Sequence, residues 1–224
     1  MNKLIWLCAL LVLVPMASMA QQTQWIIESE ANDYKVFFRG DTVGMYAPMG
    51  LTLWWKQKMN NNVCIEYDAC VIDNGKKCER LSDLNCFWMA SDPQYPNDIF
   101  KRIKWRTGNF NRCYSLQTYY LGYGGNNNKT TRFRCYDGDY KGFVSSGKRP
   151  VVLKEYTDKE HLLQSNKWYH IKITAIENKV QYEIGGNLIV DYCDSNPLTS
   201  GWFGFRTTHS HTKIANFKIS KITM

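Results

Sequence analysis

Along most of the chain apolar and polar side chains alternate with a period of two, and glycine, asparagine or proline breaks the alternation at short intervals. The clearest run is Val63 to Ile72: Val63, Ile65, Tyr67, Ala69 and Val71 share one face, while Cys64, Glu66, Asp68 and Cys70 share the other. Such a run is a strand with one face in the core. Further strands are predicted from Trp25 to Phe38 (one or two, before the turn Arg39-Gly40-Asp41), Leu51 to Lys56, Leu84 to Ser91, Ser115 to Tyr123 and Thr131 to Tyr136. The last two are joined by Gly124-Gly125-Asn126-Asn127-Asn128, residues that tolerate positive φ. Trp168 to Ile176, Val180 to Ile184 and Leu188 to Tyr192 form a meander with hairpin turns at Glu177-Asn178 and Gly185-Gly186-Asn187. Gly201 to Thr208 and Ile214 to Ile219 complete the set. Asp92 to Pro96 holds two prolines and is a loop, whereas Gly138 to Asn166 shows no period and is predicted as a long loop edging a cleft.

Many short strands, glycine and asparagine turns and no helical period beyond two turns predict an all-β protein, a jelly-roll sandwich of two antiparallel sheets. The N-terminus reads differently. Lys3, the apolar run Leu4 to Val14, Pro15 and the small-residue end Ala17-Ser18-Met19-Ala20 are the pattern of a secretory signal peptide, residues 1–20. Residues 21–224 are then a single jelly-roll domain, exported to the periplasm or beyond, with no later segment apolar enough to cross a bilayer.

The formal net charge is +8, or +7 without Lys3. For an exported protein this favours an anionic partner, which means an acidic polysaccharide, a membrane surface or nucleic acid. Seven cysteines follow residue 20, none in a Cys-x-x-Cys pair, so zinc is not expected and disulfides number at most one or two. No cofactor is expected. Asp73, Asn74, Asp137 and Asp139 supply oxygens that would suit a structural calcium ion, although their spacing matches no defined loop.

The C-terminal segments WYHIKITAIENKVQYEIGGNLIVDYCD and GWFGFRTTHSHTKIANFKI resemble the concanavalin A-like lectin/glucanase superfamily. More narrowly, EYDACVID, RLSDLNCFWMASDP, RTGNF and TRFRCY are similar to secreted Bacteroidetes proteins of unassigned function described as glycosyl hydrolases. The resemblance implies the jelly roll and a carbohydrate-active role, with hydrolases, lyases and pure lectins all hosted by that fold. It also narrows the expected partner to a carbohydrate, with neither nucleic acid nor membrane as partner.

The richest stretch for recognition is Asp98 to Tyr136, dense in aromatic, amide and cationic side chains. Arg132, Arg134 and Tyr136 alternate onto one face, an arrangement that suits a uronate: guanidinium on carboxylate, ring on sugar. Asn85, Trp88, Arg106, Asn126 and Arg206 are the other candidate substrate contacts. Candidate catalytic groups are Asp68, Asp83, Tyr119 and His209. Glu66 and Asp68 resemble part of the Glu-x-Asp-x-x-Glu signature of laminarinase-type enzymes, but Val71 stands where the second glutamate belongs. The predicted function is therefore action on an acidic glycan by hydrolysis or β-elimination, with a non-catalytic carbohydrate-binding module or lectin as the alternative.

Overall fold

The structure, a computed structural model, describes residues 22–223; the predicted signal peptide lies outside the described residues. Fifteen strands run in chain order: β1 (Trp25–Ser29), β2 (Lys35–Arg39), β3 (Thr42–Ala47), β4 (Leu51–Trp55), β5 (Met59–Asn60), β6 (Val63–Ile72), β7 (Leu84–Ser91), β8 (Gln117–Gly124), β9 (Thr130–Asp137), β10 (Val151–Tyr156), β11 (Trp168–Ile176), β12 (Lys179–Ile184), β13 (Asn187–Cys193), β14 (Ser200–Thr207) and β15 (Ser210–Lys221). They form the expected sandwich of two antiparallel sheets. One sheet has the order β1-β4-β14-β7-β8-β9-β10, with β5 beside β14; the other has the order β13-β12-β11-β6-β15-β3-β2.

Alternation explains how the sheets meet. Leu53, Trp88, Tyr119, Leu121, Phe133, Phe203 and Phe205 point from the eight-stranded sheet into the space between the sheets, where Ile65, Tyr67, Ala69, Ile171 and Ile173 of the facing sheet meet them. The residues between them in sequence point the other way. Trp54, Phe87, Tyr120, Tyr136 and Trp202 build a second apolar cluster on the outer face of the eight-stranded sheet. A cap covers it: Ile99, Cys113, Tyr114 and Leu116 are buried there, with Phe100, Ile103, Phe110 and Phe143 against them. Strands such as β7, buried on both faces, read as continuous apolar runs for this reason.

The cap is built from the helical turns Ile99–Arg102, Ile103–Arg106 and Asn111–Ser115. A sealed ionic network pins it. Arg106, with no exposed surface, donates to Glu28 Oε2 through Nη2 at 2.9 Å and Nε at 3.2 Å, to Asp92 Oδ2 at 3.3 Å and to the Ile99 carbonyl at 2.8 Å. Glu28 also accepts from Trp54 Nε1 and from the Gly108 amide, and Arg102 takes the other oxygen of Asp92.

Residues 138–166 are more ordered than their composition predicts. They hold the helix Tyr140–Ser146 and the edge strand β10, mostly exposed, in which only Leu153 and Tyr156 are half-buried against the core and a register shift between Val152 and Lys154 breaks the alternating signal. All seven cysteines of the described residues are free thiols. Among the described residues no helix is long and apolar enough to cross a membrane.

Candidate functional site

The registers of the eight-stranded sheet align one polar row across its outer face. Glu28 faces Thr52, Thr52 faces Arg206, Arg206 faces Asn85, Asn85 faces Gly122, Gly122 faces Arg132 and Arg132 faces Glu155. Gly122 interrupts the row. A side chain there would come within 3.2 Å of the Tyr120 ring and hydroxyl, so its absence gives Tyr120 room to lie across the sheet floor. Beside this gap the cap ends and an open cavity of about 350 Å³ begins. Arg206, Asn85 and Tyr120 line it from the sheet; Arg80, Asp83 and Asn126 line it from the turns before β7 and after β8, and Glu30, Asn109, Phe110 and Asn111 from the cap side.

Arg206 dominates the electrostatics. Only 3% exposed, it donates through Nη1 to Thr52 Oγ1 at 3.2 Å and to the Gly108 carbonyl at 2.9 Å, and its guanidinium carbon lies 5.0 Å from the Phe110 ring centre. Its Nε and Nη2 have no hydrogen-bond partner, and no carboxylate is in salt-bridge reach of it, among the described residues. Next to it Asn85, 6% exposed, donates through Nδ2 to Asp83 Oδ1 at 3.2 Å while its Oδ1 is buried without a partner. Burial, with Asp83 nearby, pushes the Tyr120 phenol well above its ordinary pKa, so it remains a neutral donor.

The carboxylates are held in place. Asp83 sits at φ +64°, a backbone conformation unusual outside glycine, and accepts from Arg80, from Ser82 Oγ at 2.8 Å and from Asn85. Arg80 in turn donates to Asn127 Oδ1 and to the Thr208 carbonyl. Glu30 accepts from Asn109 Nδ2 at 2.7 Å and from the Gly50 amide. Glycines 50 and 108 let cap and sheet touch backbone to backbone; a Cβ on Gly108, at φ +69°, would lie 2.5 Å from the Gly50 carbonyl oxygen.

Of the sequence candidates, Asp83, Asn85, Asn126 and Arg206 are brought together here. The others lie elsewhere. Arg106 is consumed by the network beneath the cap. Arg132 pairs with Glu155, Arg134 donates to the Pro150 carbonyl, and Tyr136, 1% exposed, is under the cap. Trp88 and Tyr119 point into the space between the sheets; Tyr119 donates to Asp194 Oδ2 at 2.6 Å, and burial together with that carboxylate raises its pKa. Asp68 is on the outer face of the other sheet, its carboxyl held below the usual range by hydrogen bonds from Asn216 and from His170. His209 lines a separate depression beside Cys78 and Met49.

Glu30, Arg80, Asn109, Phe110 and Tyr120 were not singled out from the sequence. Arg80 and Asn109-Phe110 do belong to the RLSDLN and RTGNF segments that carry the family resemblance; Glu30 had no signal. Lys148 Nζ sits 3.0 Å from Asp137 Oδ2 and 3.3 Å from Asp139 Oδ2, which gives that aspartate pair an ammonium partner. Among the described residues no group of three or more His, Cys, Asp or Glu is placed to hold a metal ion.

Comparison with known proteins gives one family and a set of fold relatives. The family model of DUF6250, a domain of unknown function, matches residues 45–217. No curated protein sequence matches the chain. Among solved structures, a Bacillus subtilis protein of unknown function with a galectin-like fold shares 17% identity, with 92% of this chain and 93% of that one covered and a TM-score of 0.71. The carbohydrate-binding module CBM66 from Bacillus subtilis shares 13% identity over 88% of this chain and 96% of its own, TM-score 0.58. An endo-β-1,3-glucanase from Pyrococcus furiosus shares 8% identity over 89% of both chains, TM-score 0.57. At such identities the likeness is one of fold.

Proposed function

We propose that this chain, which belongs to the DUF6250 family, is an exported carbohydrate-active protein that holds an acidic sugar in the cavity at Arg206. One observation carries the reading: a buried guanidinium presents two unpartnered donor positions to an open polar cavity, beside the unpartnered Oδ1 of Asn85. A buried cation without a carboxylate partner is costly to fold around, and a ligand carboxylate would complete it with two parallel hydrogen bonds. Tyr120 would donate to a ring substituent and Phe110 offers an aromatic edge. The fold relatives support this class, since a carbohydrate-binding module and a glucanase share the sandwich.

Calorimetric titration with fragments of polygalacturonate, alginate and heparin tests it. Arg206→Lys keeps the charge but loses the planar fork, and should weaken binding of the responsive glycan at least about tenfold. Unchanged affinity for every responsive glycan, or no response from any acidic glycan, sinks the proposal.

A second reading, catalysis, is favoured by Glu30 and Asp83 lining the same cavity, because glycoside hydrolysis needs a pair of carboxyl groups. For β-elimination a cavity carboxylate, Glu30 or Asp83, would take the proton α to the sugar carboxylate, Arg206 would steady the resulting carbanion, and the neutral Tyr120 would protonate the glycosidic oxygen as its bond to the β carbon breaks. New reducing ends or unsaturated uronate, lost in both Glu30→Gln and Asp83→Asn, would establish turnover; binding without either product leaves a lectin.

A further inference from the structure

Away from the cavity, on the other sheet, one aromatic side chain departs from the pattern of the rest. The described tryptophans are buried or partly buried, except Trp168, which is 48% exposed. Among the described residues no aromatic ring and no cation packs on its face.

The reason is in the register. β11 pairs with β12 only from Ile171, opposite Ile184, and the Gly185 amide closes the ladder on the His170 carbonyl, so Trp168 and Tyr169 run on past the end of β12 with one flank uncovered. On the other flank Trp168, Tyr169 and His170 pair with Cys70, Ala69 and Asp68 of β6. The uncovered flank opens onto a cavity of about 520 Å³, walled by the β12–β13 turn at Gly185 and Asn187 and by Glu160, His161 and Lys167 from the preceding loop. The side chains are held: His170 Nδ1 is 2.8 Å from Asp68 Oδ1, the Gly185 amide donates to the His170 carbonyl at 2.8 Å, and Lys167 Nζ lies 5.3 Å from the Tyr169 ring centre.

We infer that this is a second glycan-binding site, in which a pyranose ring stacks on the Trp168 indole while Lys167, His170, Glu160 and Asn187 hydrogen-bond its hydroxyls. A sugar ring has an apolar C–H face and a polar rim. Trp168 with its surround has the same division: one flat apolar surface among amide, imidazole, ammonium and carboxylate groups. The wall of the cavity repeats that division, with Tyr123, Tyr169, Ile184 and Ile189 as its apolar part and Glu160, His161, Lys167, His170 and Asn187 as its polar part. The inference rests on the reading of the protein as a glycan binder but not on the Arg206 cavity, with which it shares no residue. Two sites on opposite sheets make retention by a polysaccharide exceed that by a short oligosaccharide.

Affinity electrophoresis in gels containing polygalacturonate, alginate, xylan or laminarin tests it, with Trp168→Ala, Trp168→Tyr and Arg206→Lys run beside the wild type. The indole is exposed, so Trp168→Ala should keep the wild-type melting temperature while its dissociation constant rises about tenfold in a gel that retards the wild type. Trp168→Tyr, which keeps a ring, should recover most of the retardation. Loss in Trp168→Ala with Arg206→Lys unaffected would sustain the second site and sink the cavity reading. Wild-type retardation of Trp168→Ala in every responsive gel overturns the inference, and a wild type retarded by none of the gels overturns both.

Discussion

Arg106 and Arg206 show how burial alone fails to separate two roles. Both are arginines with almost no exposed surface, yet Arg106 has carboxylates on two sides and Arg206 has none. The first is therefore structural, and the second is the one to which the proposed function gives a ligand. Arg106→Leu would leave the buried Glu28 carboxylate without a cation, while Asp92 keeps Arg102, so a loss of about 3–5 kcal/mol in urea unfolding is expected; a change below about 1 kcal/mol would show the network to be dispensable. Asp83, Asn85, Asn126 and Arg206 were legible in the sequence because each sits at a strand end beside a turn signal, where side chains reach a rim. Arg132, Arg134 and Tyr136 do share a face, as alternation says, but alternation cannot tell what lies over that face. The cap and the neighbouring strand β10 claim all three.

The cap is the element on which the cavity depends, and its anchor is a contact between two glycines. Gly108→Ala adds a methyl group 2.5 Å from the Gly50 carbonyl oxygen at a left-handed φ, which forces the Thr107–Phe110 turn away from the sheet. The expected result is a loss of more than about 1 kcal/mol in stability together with weakened glycan binding, as Asn109 and Phe110 leave the cavity wall. Full stability and full binding in this variant would mean the turn is not what shapes the site. Most strands of both sheets were legible, the one-sided ones through a period of two and those buried on both faces, such as β7, through a continuous apolar run. β3, β5 and β10 were not: β3 is broken by Gly44, β5 is two residues long, and in β10 an irregular register between Val152 and Lys154 interrupts the alternation, with only Leu153 and Tyr156 half-buried against the core. The cap, lying on aromatic residues of an already apolar sheet, leaves only short helical turns with no period of their own.

At the scale of the whole molecule, the sandwich holds its thiols and phenols in a dry interior. Burial pushes Cys86 up to about 12 and Cys113 and Cys135 to about 11, from an ordinary value of 9.0. Above pH 9 the unfolded chain releases these protons while the folded chain keeps them. Stability is then fully present below pH 9 and falls as pH rises toward 11 and 12, with the buried tyrosines Tyr67, Tyr120, Tyr136 and Tyr182 adding to the same slope. Denaturation midpoints that stay flat from about pH 8 to about pH 10.5 would contradict this. The same burial leaves Cys193 as the one exposed thiol of the described residues, so a disulfide-exchange reagent should titrate it first in the native protein.

The cap would also set the direction from which a ligand of the Arg206 cavity arrives. Phe110, Tyr114 and Phe143 close the outer face beyond Tyr120 and Tyr136, so a polymer cannot lie lengthwise across the sheet through the Arg206 cavity. On the proposed function, what would enter is a chain terminus. Capping or reducing the ends of a responsive oligosaccharide should then abolish its binding there, whereas lengthening its interior should leave the affinity of that site unchanged.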